Sequence, residues 1–164
     1  MQPLTVSELE QCDDAEVSWV ATLPKSLQAV LSIDFQALKP LEPVTHQFES
    51  RGLVFDDAIA LIPSNPRFIC RSGQPVLMPA HPANTLAIEL QPMVQRLYLC
   101  GRGTQPMVVK TWDADGNLLS TKTADLPHSE SALLPCQILK LSTEGVHRIV
   151  LSSAAPFTLE GIAL

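Results

Sequence analysis

From Ile33 onward, short apolar or alternating runs are separated by clusters of proline, glycine, asparagine and aspartate. Residues 85–90 alternate most clearly, since leucine or isoleucine occupies every second position and Ala87 and Glu89 lie between them. The runs supply about nine or ten strands with turn signals every 8–12 residues, a spacing typical of an antiparallel sandwich. The eleven runs from which these strands are drawn are Val44 to Phe48, Gly52 to Ile62, Arg67 to Arg71, Pro75 to Met78, Thr85 to Leu90, Val94 to Cys100, Met107 to Trp112, Leu118 to Thr123, Ala132 to Leu141, Val146 to Ser152 and Phe157 to Leu164.

One turn is marked strongly enough to predict both a strand pair and the direction of a side chain. Asp113-Ala-Asp-Gly-Asn117 stands between two β-prone runs, and Asp-Gly in such a place is a strong hairpin signal. Gly116 would supply a positive φ, and Asp113 would accept hydrogen bonds from nearby backbone N–H groups. If alternate residues from 107 to 111 face the core, Trp112 faces outward beside this turn.

Residues 1–31 follow a different pattern. Thr5-Val-Ser-Glu8 has the form of a capping box, and the apolar positions after it are loosely spaced as on a helix until Pro24. The pattern predicts a short helical N-terminal extension, residues 1–31, attached to a β-sandwich domain of residues 32–164. The role of residues 5–31 is left open.

The composition limits the size and the class of the protein. A length of 164 residues suits one domain, and 46% hydrophobic with 17% charged residues indicates a packed core. The 14 prolines are spread along the chain, where they disfavour long helices and favour many short segments. The net charge of −6 and the scattered lysines and arginines argue against a nucleic-acid partner.

The cellular compartment and the state of the cysteines are linked expectations. No apolar run approaches the ~18–20 residues that span a bilayer, and the first residues lack the basic start and apolar stretch of a signal peptide. We therefore expect no membrane span and a cytoplasmic chain, with a mature exported form as the alternative. Free buried thiols suit the first case and one or two disulfides the second, for Cys12, Cys70, Cys100 and Cys136.

Several short motifs follow one another in a familiar order. They are Ile33-Asp-Phe35, Val44-Thr-His-Gln-Phe48, Gly52-Leu-Val-Phe55, Leu86-Ala-Ile-Glu-Leu90-Gln-Pro92, Pro106-Met-Val-Val-Lys-Thr-Trp-Asp-Ala-Asp-Gly116, Gly145-Val-His-Arg-Ile-Val-Leu-Ser-Ser153 and Phe157-Thr-Leu-Glu-Gly-Ile-Ala-Leu164. Together they resemble bacterial galactose-binding-like jelly-roll modules over roughly residues 32–164. The resemblance implies an antiparallel, jelly-roll-like β-sandwich.

The same resemblance implies a structural calcium ion. Many jelly-roll binding modules hold calcium with acidic residues on the first and last strands, and this ion takes roughly six to eight oxygen ligands. The matching positions are Asp34 and Glu160, although Gly161 stands where such modules often have a second aspartate. Calcium is therefore expected as a structural cofactor, with Asp34 and Glu160 as its ligands.

Trp112 and Tyr98 are the candidate ligand-binding residues. An exposed aromatic ring beside a turn offers an apolar, polarisable face on which a sugar ring can stack. The alternative for both rings is packing over the sandwich edge or against the N-terminal extension. The sequence contains no G-x-S-x-G, H-E-x-x-H or P-loop motif, so no catalytic residue is assigned.

Two functions are carried forward, and neither is enzymatic. The first is a carbohydrate-binding module, stabilised by calcium. The second is a protein-interaction or structural module in which residues 5–31, or an exposed sheet edge, dock a protein partner or a second copy. A small hydrolase on the same scaffold is a distant third, and the oligomeric state is left open.

Overall fold

The computed structural model describes residues 33–68, 73–126, 128, 130 and 132–164. These residues form eleven β-strands in two antiparallel sheets, with a single 3-10 turn at Glu49–Arg51. The sheets enclose one large hydrophobic cluster, so the all-β, antiparallel sandwich predicted from the hydrophobic pattern is confirmed. The predicted helical extension of residues 1–31 lies outside the described residues, and so do Cys12 and Cys70. In the part described, no helix is both long and apolar enough to cross a membrane.

The strands are distributed unequally between the two sheets. In chain order they are β1 (Pro43–Val44), β2 (Leu53–Asp56), β3 (Ala58–Leu61), β4 (Val76–Pro79), β5 (Thr85–Leu90), β6 (Arg96–Gly103), β7 (Val108–Trp112), β8 (Leu118–Thr123), β9 (Cys136–Ser142), β10 (Arg148–Ser152) and β11 (Phe157–Ala163). One sheet has six strands in the order β1-β3-β4-β11-β6-β9, and the other has five in the order β2-β5-β10-β7-β8. All connections except β3–β4 and β7–β8 pass from one sheet to the other, so the chain winds repeatedly around the core.

The predicted strand from Gly52 to Ile62 is in fact two strands that belong to different sheets. Asp57 separates them with a φ of 57°, in the left-handed region that asparagine and aspartate tolerate better than most residues. Its carbonyl accepts a hydrogen bond from the N–H of Ala80 at 2.7 Å, which holds this corner against the end of β4. Asp56 and Asp57 interrupt the apolar pattern at the corner, and the pattern resumes at Ala58 because β2 and β3 both line the same core.

Close approach between β6 and the segment before β7 depends on Gly101. A Cβ atom at this position would overlap the sulfur of Met107 and approach the carbonyl oxygen of Thr158 to 2.8 Å. The Met107 side chain is fully buried and belongs to the core between the sheets. Glycine at 101 therefore allows the methionine to pack directly against the backbone of β6.

Buried polar side chains hold the connections at the ends of the sandwich. The amide of Gln137 on β9 accepts from the N–H of Met107 at 2.8 Å and donates to the carbonyl of Gln105 at 3.0 Å. The hydroxyl of Thr143 donates to the carbonyl of Val94 at 2.8 Å. These bonds satisfy backbone groups of both connections that flank β6.

Strand β6 is buried on both of its faces. On the face away from the main core, Tyr98 and Cys100 form a second small cluster with Ala163 of β11. A disulfide joins Cys100 to Cys136 across 6.3 Å between their Cα atoms, and it links β6 to the edge strand β9. Of the two alternatives stated for the cysteines, free thiols and disulfides, this pair therefore takes the second.

Candidate functional site

Trp112 is the last residue of β7, on the outer face of the five-stranded sheet. Val109 and Thr111 are buried in the sandwich, with exposed fractions of 0% and 2%. Because side chains alternate along a strand, Lys110 and Trp112 point away from the core. The indole is partly exposed, in the outward orientation that the alternation of β7 predicts.

The turn that follows Trp112 is held by one carboxylate. Oδ1 of Asp113 accepts from the backbone N–H groups of Asp115 at 2.9 Å and Asn117 at 2.8 Å. Oδ2 accepts from the side-chain amide of Asn117 at 3.0 Å, and Gly116 has a φ of 82°. These hydrogen bonds hold the pKa of Asp113 below its ordinary value of 3.8, and the bond from the backbone N–H of Asn117 has the largest effect. The predicted hairpin is confirmed, with the predicted role for each turn residue.

A row of outward side chains crosses four strands at the level of Trp112. Trp112 pairs with Arg148 of β10, Arg148 pairs with Glu89 of β5, and Glu89 pairs with Val54 of β2. Residues directly opposite on antiparallel strands have Cβ atoms about 4.5–5.5 Å apart, so the four side chains are contiguous. We call Trp112, Arg148, Glu89 and Val54 the Trp112 row.

The guanidinium of Arg148 lies between two carboxylates. Its Nη2 is 3.3 Å from Oδ2 of Asp56, and its Nη1 is 3.4 Å from Oε1 of Glu89. The arginine side chain is 37% exposed, and solvated ion pairs of this kind contribute roughly 0–1 kcal/mol to stability. Their main effect is therefore to hold the guanidinium in place, where its other N–H groups remain able to donate to a ligand.

Beside the Trp112 row lies a second line of residues, whose two middle side chains are shorter than the two at its ends. In register, Asp56 pairs with Ala87, Ala87 with Val150 and Val150 with Lys110. The two small apolar side chains lie between the charged ends, Asp56 and Lys110. The outer face of this sheet therefore combines an indole, one partly exposed apolar side chain, Val150, and charged hydrogen-bonding groups.

The structure does not bring the two predicted aromatic residues together. Tyr98 lies on β6 in the opposite sheet and is only 6% exposed. Its ring packs with Cys100 and Ala163, and the ammonium group of Lys140 lies 5.8 Å from the ring centroid. A ring buried in this way presents no open face on which a sugar could stack.

Asp34 and Glu160, the predicted calcium ligands, each have a different partner. The carboxylate of exposed Asp34 accepts from the backbone N–H of Gln36 at 2.8 Å. Glu160 is 11% exposed, and its Oε1 lies 2.6 Å from Nε of Arg102. A guanidinium at this distance neutralises the carboxylate and would repel a second cation. The donor set fits calcium poorly, and the metal site stays a prediction.

Sequence reasoning missed Asp56, Glu89 and Arg148 as members of one site. Asp56 and Arg148 are 92 positions apart, and only the order and register of the strands bring their side chains together. The available signal was weak. Each residue is a charged side chain at an outward position of an alternating run, and this is equally true of ordinary solvated residues.

No family model matches the chain, and no curated protein matches it either. Among solved structures, a family 6 carbohydrate-binding module aligns with a TM-score of 0.38 and 12% identity, over 80% of this chain and 90% of that chain. The enzymatically active domain of tailspike protein 4 from bacteriophage CBA120 aligns with a TM-score of 0.31 and 12% identity, over 79% of this chain and 20% of that chain.

Proposed function

We propose that this protein is a non-catalytic carbohydrate-binding module whose ligand lies along the Trp112 row. The observation that carries the proposal is a partly exposed indole in register with an arginine that two carboxylates hold in place. Sugar rings combine apolar C–H faces with polar hydroxyl edges. The indole matches the faces, and Arg148 with its carboxylates supplies donors and acceptors for the hydroxyl groups.

The chemical character of this face also favours a polar ligand that has an apolar side. Between Asp56 and Lys110, next to the indole and the guanidinium, Val150 is partly exposed and Ala87 is only 4% exposed. Binding there needs no opening of the core, because every group involved lies on the outer side of the sheet. By contrast, β6 in the other sheet is buried on both faces.

A glycan array followed by calorimetry on any sugar that binds tests the proposal. Trp112→Ala should weaken binding at least about tenfold, which corresponds to ~1.4 kcal/mol and matches the loss of an aromatic contact. Arg148→Ala should also weaken binding. Trp112→Phe, which keeps an aromatic face, should retain part of the affinity. Leu41→Ala serves as the control, because Leu41 is 66% exposed and hydrogen-bonds through its backbone to β3 of the opposite sheet.

The proposal fails if folded Trp112→Ala binds the sugar as tightly as the wild type. It also fails if a folded wild-type protein binds nothing on a broad array. Circular dichroism of each variant separates loss of binding from loss of structure. Because the indole is only partly buried, the alanine variant is expected to fold.

A specific observation also favours an interaction module as a second candidate. Strand β8 forms the edge of the five-stranded sheet, and all six of its residues are exposed. Leu118 and Leu119 are 48% and 47% exposed, and an apolar sheet edge is a template for pairing with another chain. Light scattering should then show an oligomer that Leu119→Lys converts to monomers. A monomeric wild type would exclude self-association through β8.

A further inference from the structure

The disulfide between Cys100 and Cys136 lies beside a carboxylate on the outer face of the six-stranded sheet. Its two sulfur atoms and a carboxylate oxygen of Glu160 all lie within 4.8 Å of one another. The three residues belong to the neighbouring strands β6, β9 and β11, so the sheet itself fixes their positions. Once the disulfide is reduced, the group consists of two thiols and a carboxylate, which are all metal-ligating side chains.

A β-bulge brings Glu160 into this group. Leu159 of β11 pairs with Gly101 of β6. The next pair joins Gly161 to Cys100, so Glu160 is an extra residue of β11 between two adjacent positions of β6. Bulges redirect a side chain and are common next to active sites. Here the bulge turns a carboxylate toward the disulfide.

The charges of the reduced group favour a bound cation. Nε of Arg102 lies 2.6 Å from Oε1 of Glu160, so the carboxylate already has a counter-charge. The same guanidinium cannot balance two thiolates at positions 100 and 136 as well. Two thiolates this close together repel each other strongly in a partly buried site, and a divalent cation between them removes the repulsion.

The sulfur ligands distinguish this group from the calcium site predicted at Asp34 and Glu160. Calcium takes oxygen ligands, whereas zinc binds cysteine thiolates. Tetrahedral zinc with bonds of about 2.0–2.3 Å holds its ligand atoms roughly 3.3–3.8 Å apart, which lies within the spacing of this group. Arg102 can keep its hydrogen bond to Glu160, because ligating carboxylates are usually hydrogen-bonded in turn.

We infer that the reduced chain binds a zinc ion through Cys100, Cys136 and Glu160, and that the disulfide prevents this binding. Thiolates are the sulfur ligands of metals, and the disulfide contains none. Cys136 is partly exposed and Glu160 is 11% exposed, so the ion reaches the site from solvent. Cys100 is 1% exposed and forms the inner side. The fourth zinc ligand is then a water molecule.

Zinc titration of the oxidised and the reduced chain tests the inference. A phosphine reductant converts the disulfide to two thiols and becomes a phosphine oxide, whose oxygen comes from water. Competition with a chelating indicator measures the zinc affinity. The reduced chain should bind zinc at least about a hundredfold more tightly than the oxidised chain. Cobalt(II) in place of zinc should give the near-ultraviolet absorption that thiolate ligands cause.

Variants without the other two cysteines make the result specific to this site. Cys12→Ser/Cys70→Ser keeps the proposed ligands and should bind zinc as the reduced wild type does. Addition of Cys136→Ser should weaken zinc binding at least about a hundredfold, and addition of Glu160→Gln at least about tenfold. Glu144→Gln is the matched control, because Glu144 is an exposed glutamate in the turn before β10.

Three results would overturn the inference. The first is the absence of zinc binding to the reduced wild type. The second is an unchanged zinc affinity after Cys136→Ser, a variant that leaves the ion pair between Arg102 and Glu160 in place. The third is a reduced chain that unfolds and that zinc does not refold, as followed by circular dichroism. The Trp112 row lies on the opposite sheet, so a glycan array with the oxidised chain tests the carbohydrate proposal separately.

Discussion

Arg102 is one of the largest fully buried side chains in the described part of the chain, at 2% exposure. Nε of Arg102 pairs with the carboxylate of Glu160, and Nη1 of Arg102 donates to the carbonyl of Leu134. The N–H of Leu134 in turn donates to the carbonyl of Arg67 at 2.9 Å. A single buried guanidinium thus connects β6, β11 and the segment before β9. Buried charges are tolerated because they are paired, so the loss of one partner is costly.

Replacement of Arg102 by methionine should destabilise the protein by about 3–5 kcal/mol, because it leaves Glu160 with little solvent and no counter-charge. Urea unfolding measures the change. The double variant Arg102→Met/Glu160→Leu should recover most of the loss, since it removes both charges and keeps apolar volume. A single-variant cost below about 1 kcal/mol would mean that the pair is effectively solvated.

Asp113 should produce a measurable pH dependence of stability. Its pKa in the folded protein is lowered, mainly by the backbone N–H of Asn117. A lowered folded pKa stabilises the protein at pH values above the unfolded pKa, and this contribution disappears as the pH falls through the folded pKa. The wild type should therefore lose stability below about pH 4 through this residue.

Urea midpoints measured from neutral to acidic pH, for the wild type and two variants, isolate this contribution. Asp113→Asn keeps an oxygen that can accept the backbone hydrogen bonds of the turn, so it should lose only the part of the stability that depends on pH. Asp113→Ala should be weakened at every pH. The pKa of Glu42 is also lowered, mainly by the backbone N–H of Lys39, so Glu42 adds its own pH dependence to every variant. The difference in stability between the wild type and Asp113→Asn is therefore the quantity that reports on Asp113 alone. A constant difference across pH would contradict the assignment.

At the scale of elements, the edge strands β9 and β8 differ in how firmly they are attached. The disulfide ties β9 to β6, and Gln137 of β9 is fully buried. The bond from Nζ of Lys122 on β8 to the carbonyl of Lys140 on β9, at 2.8 Å, joins the two edge strands to each other. Strand β8 has exposed residues throughout. Edge strands expose backbone groups that can pair with other chains, so β8 is the more accessible of the two.

Reduction of the disulfide between Cys100 and Cys136 should destabilise the protein by about 2–4 kcal/mol, since it removes a crosslink with a sequence separation of 36. Denaturation with and without reductant measures the effect, and amide exchange should rise first in β9. The variant Cys100→Ala/Cys136→Ala should not respond to reductant, which controls for Cys12 and Cys70. A wild type that is equally stable in both conditions would mean that the crosslink adds nothing.

At the scale of the whole molecule, any ion or ligand that binds only the folded chain raises its melting temperature. The ion pair between Arg102 and Glu160 leaves a poor donor set for calcium. We therefore expect the same melting temperature in calcium and in EDTA. A higher melting temperature in calcium than in EDTA would support the predicted metal site if Asp34→Asn or Glu160→Gln abolished the difference. It would also show that the ion displaces Arg102 from Glu160.

The sequence by itself determined those features that neighbouring residues control. The period-two alternation established the β class, and Asp-Gly marked the hairpin whose geometry turns Trp112 outward. These features are local, because side-chain direction in a strand and the conformation of a tight turn depend on a few adjacent residues. The same reasoning failed at Asp57, where a corner divides the predicted strand. The pair Asp56-Asp57 was the local signal, because it interrupts the apolar run and aspartate favours turns.

Only the tertiary structure decided which side chains meet. Arg148 reaches Glu89 and Asp56, Tyr98 is buried in the sheet opposite Trp112, and Glu160 pairs with Arg102. Each of these outcomes depends on strand order and register, and a slip of one residue would move every side chain of a strand to its other face. Such information comes from the packing of the whole core, so no local pattern in the chain contains it.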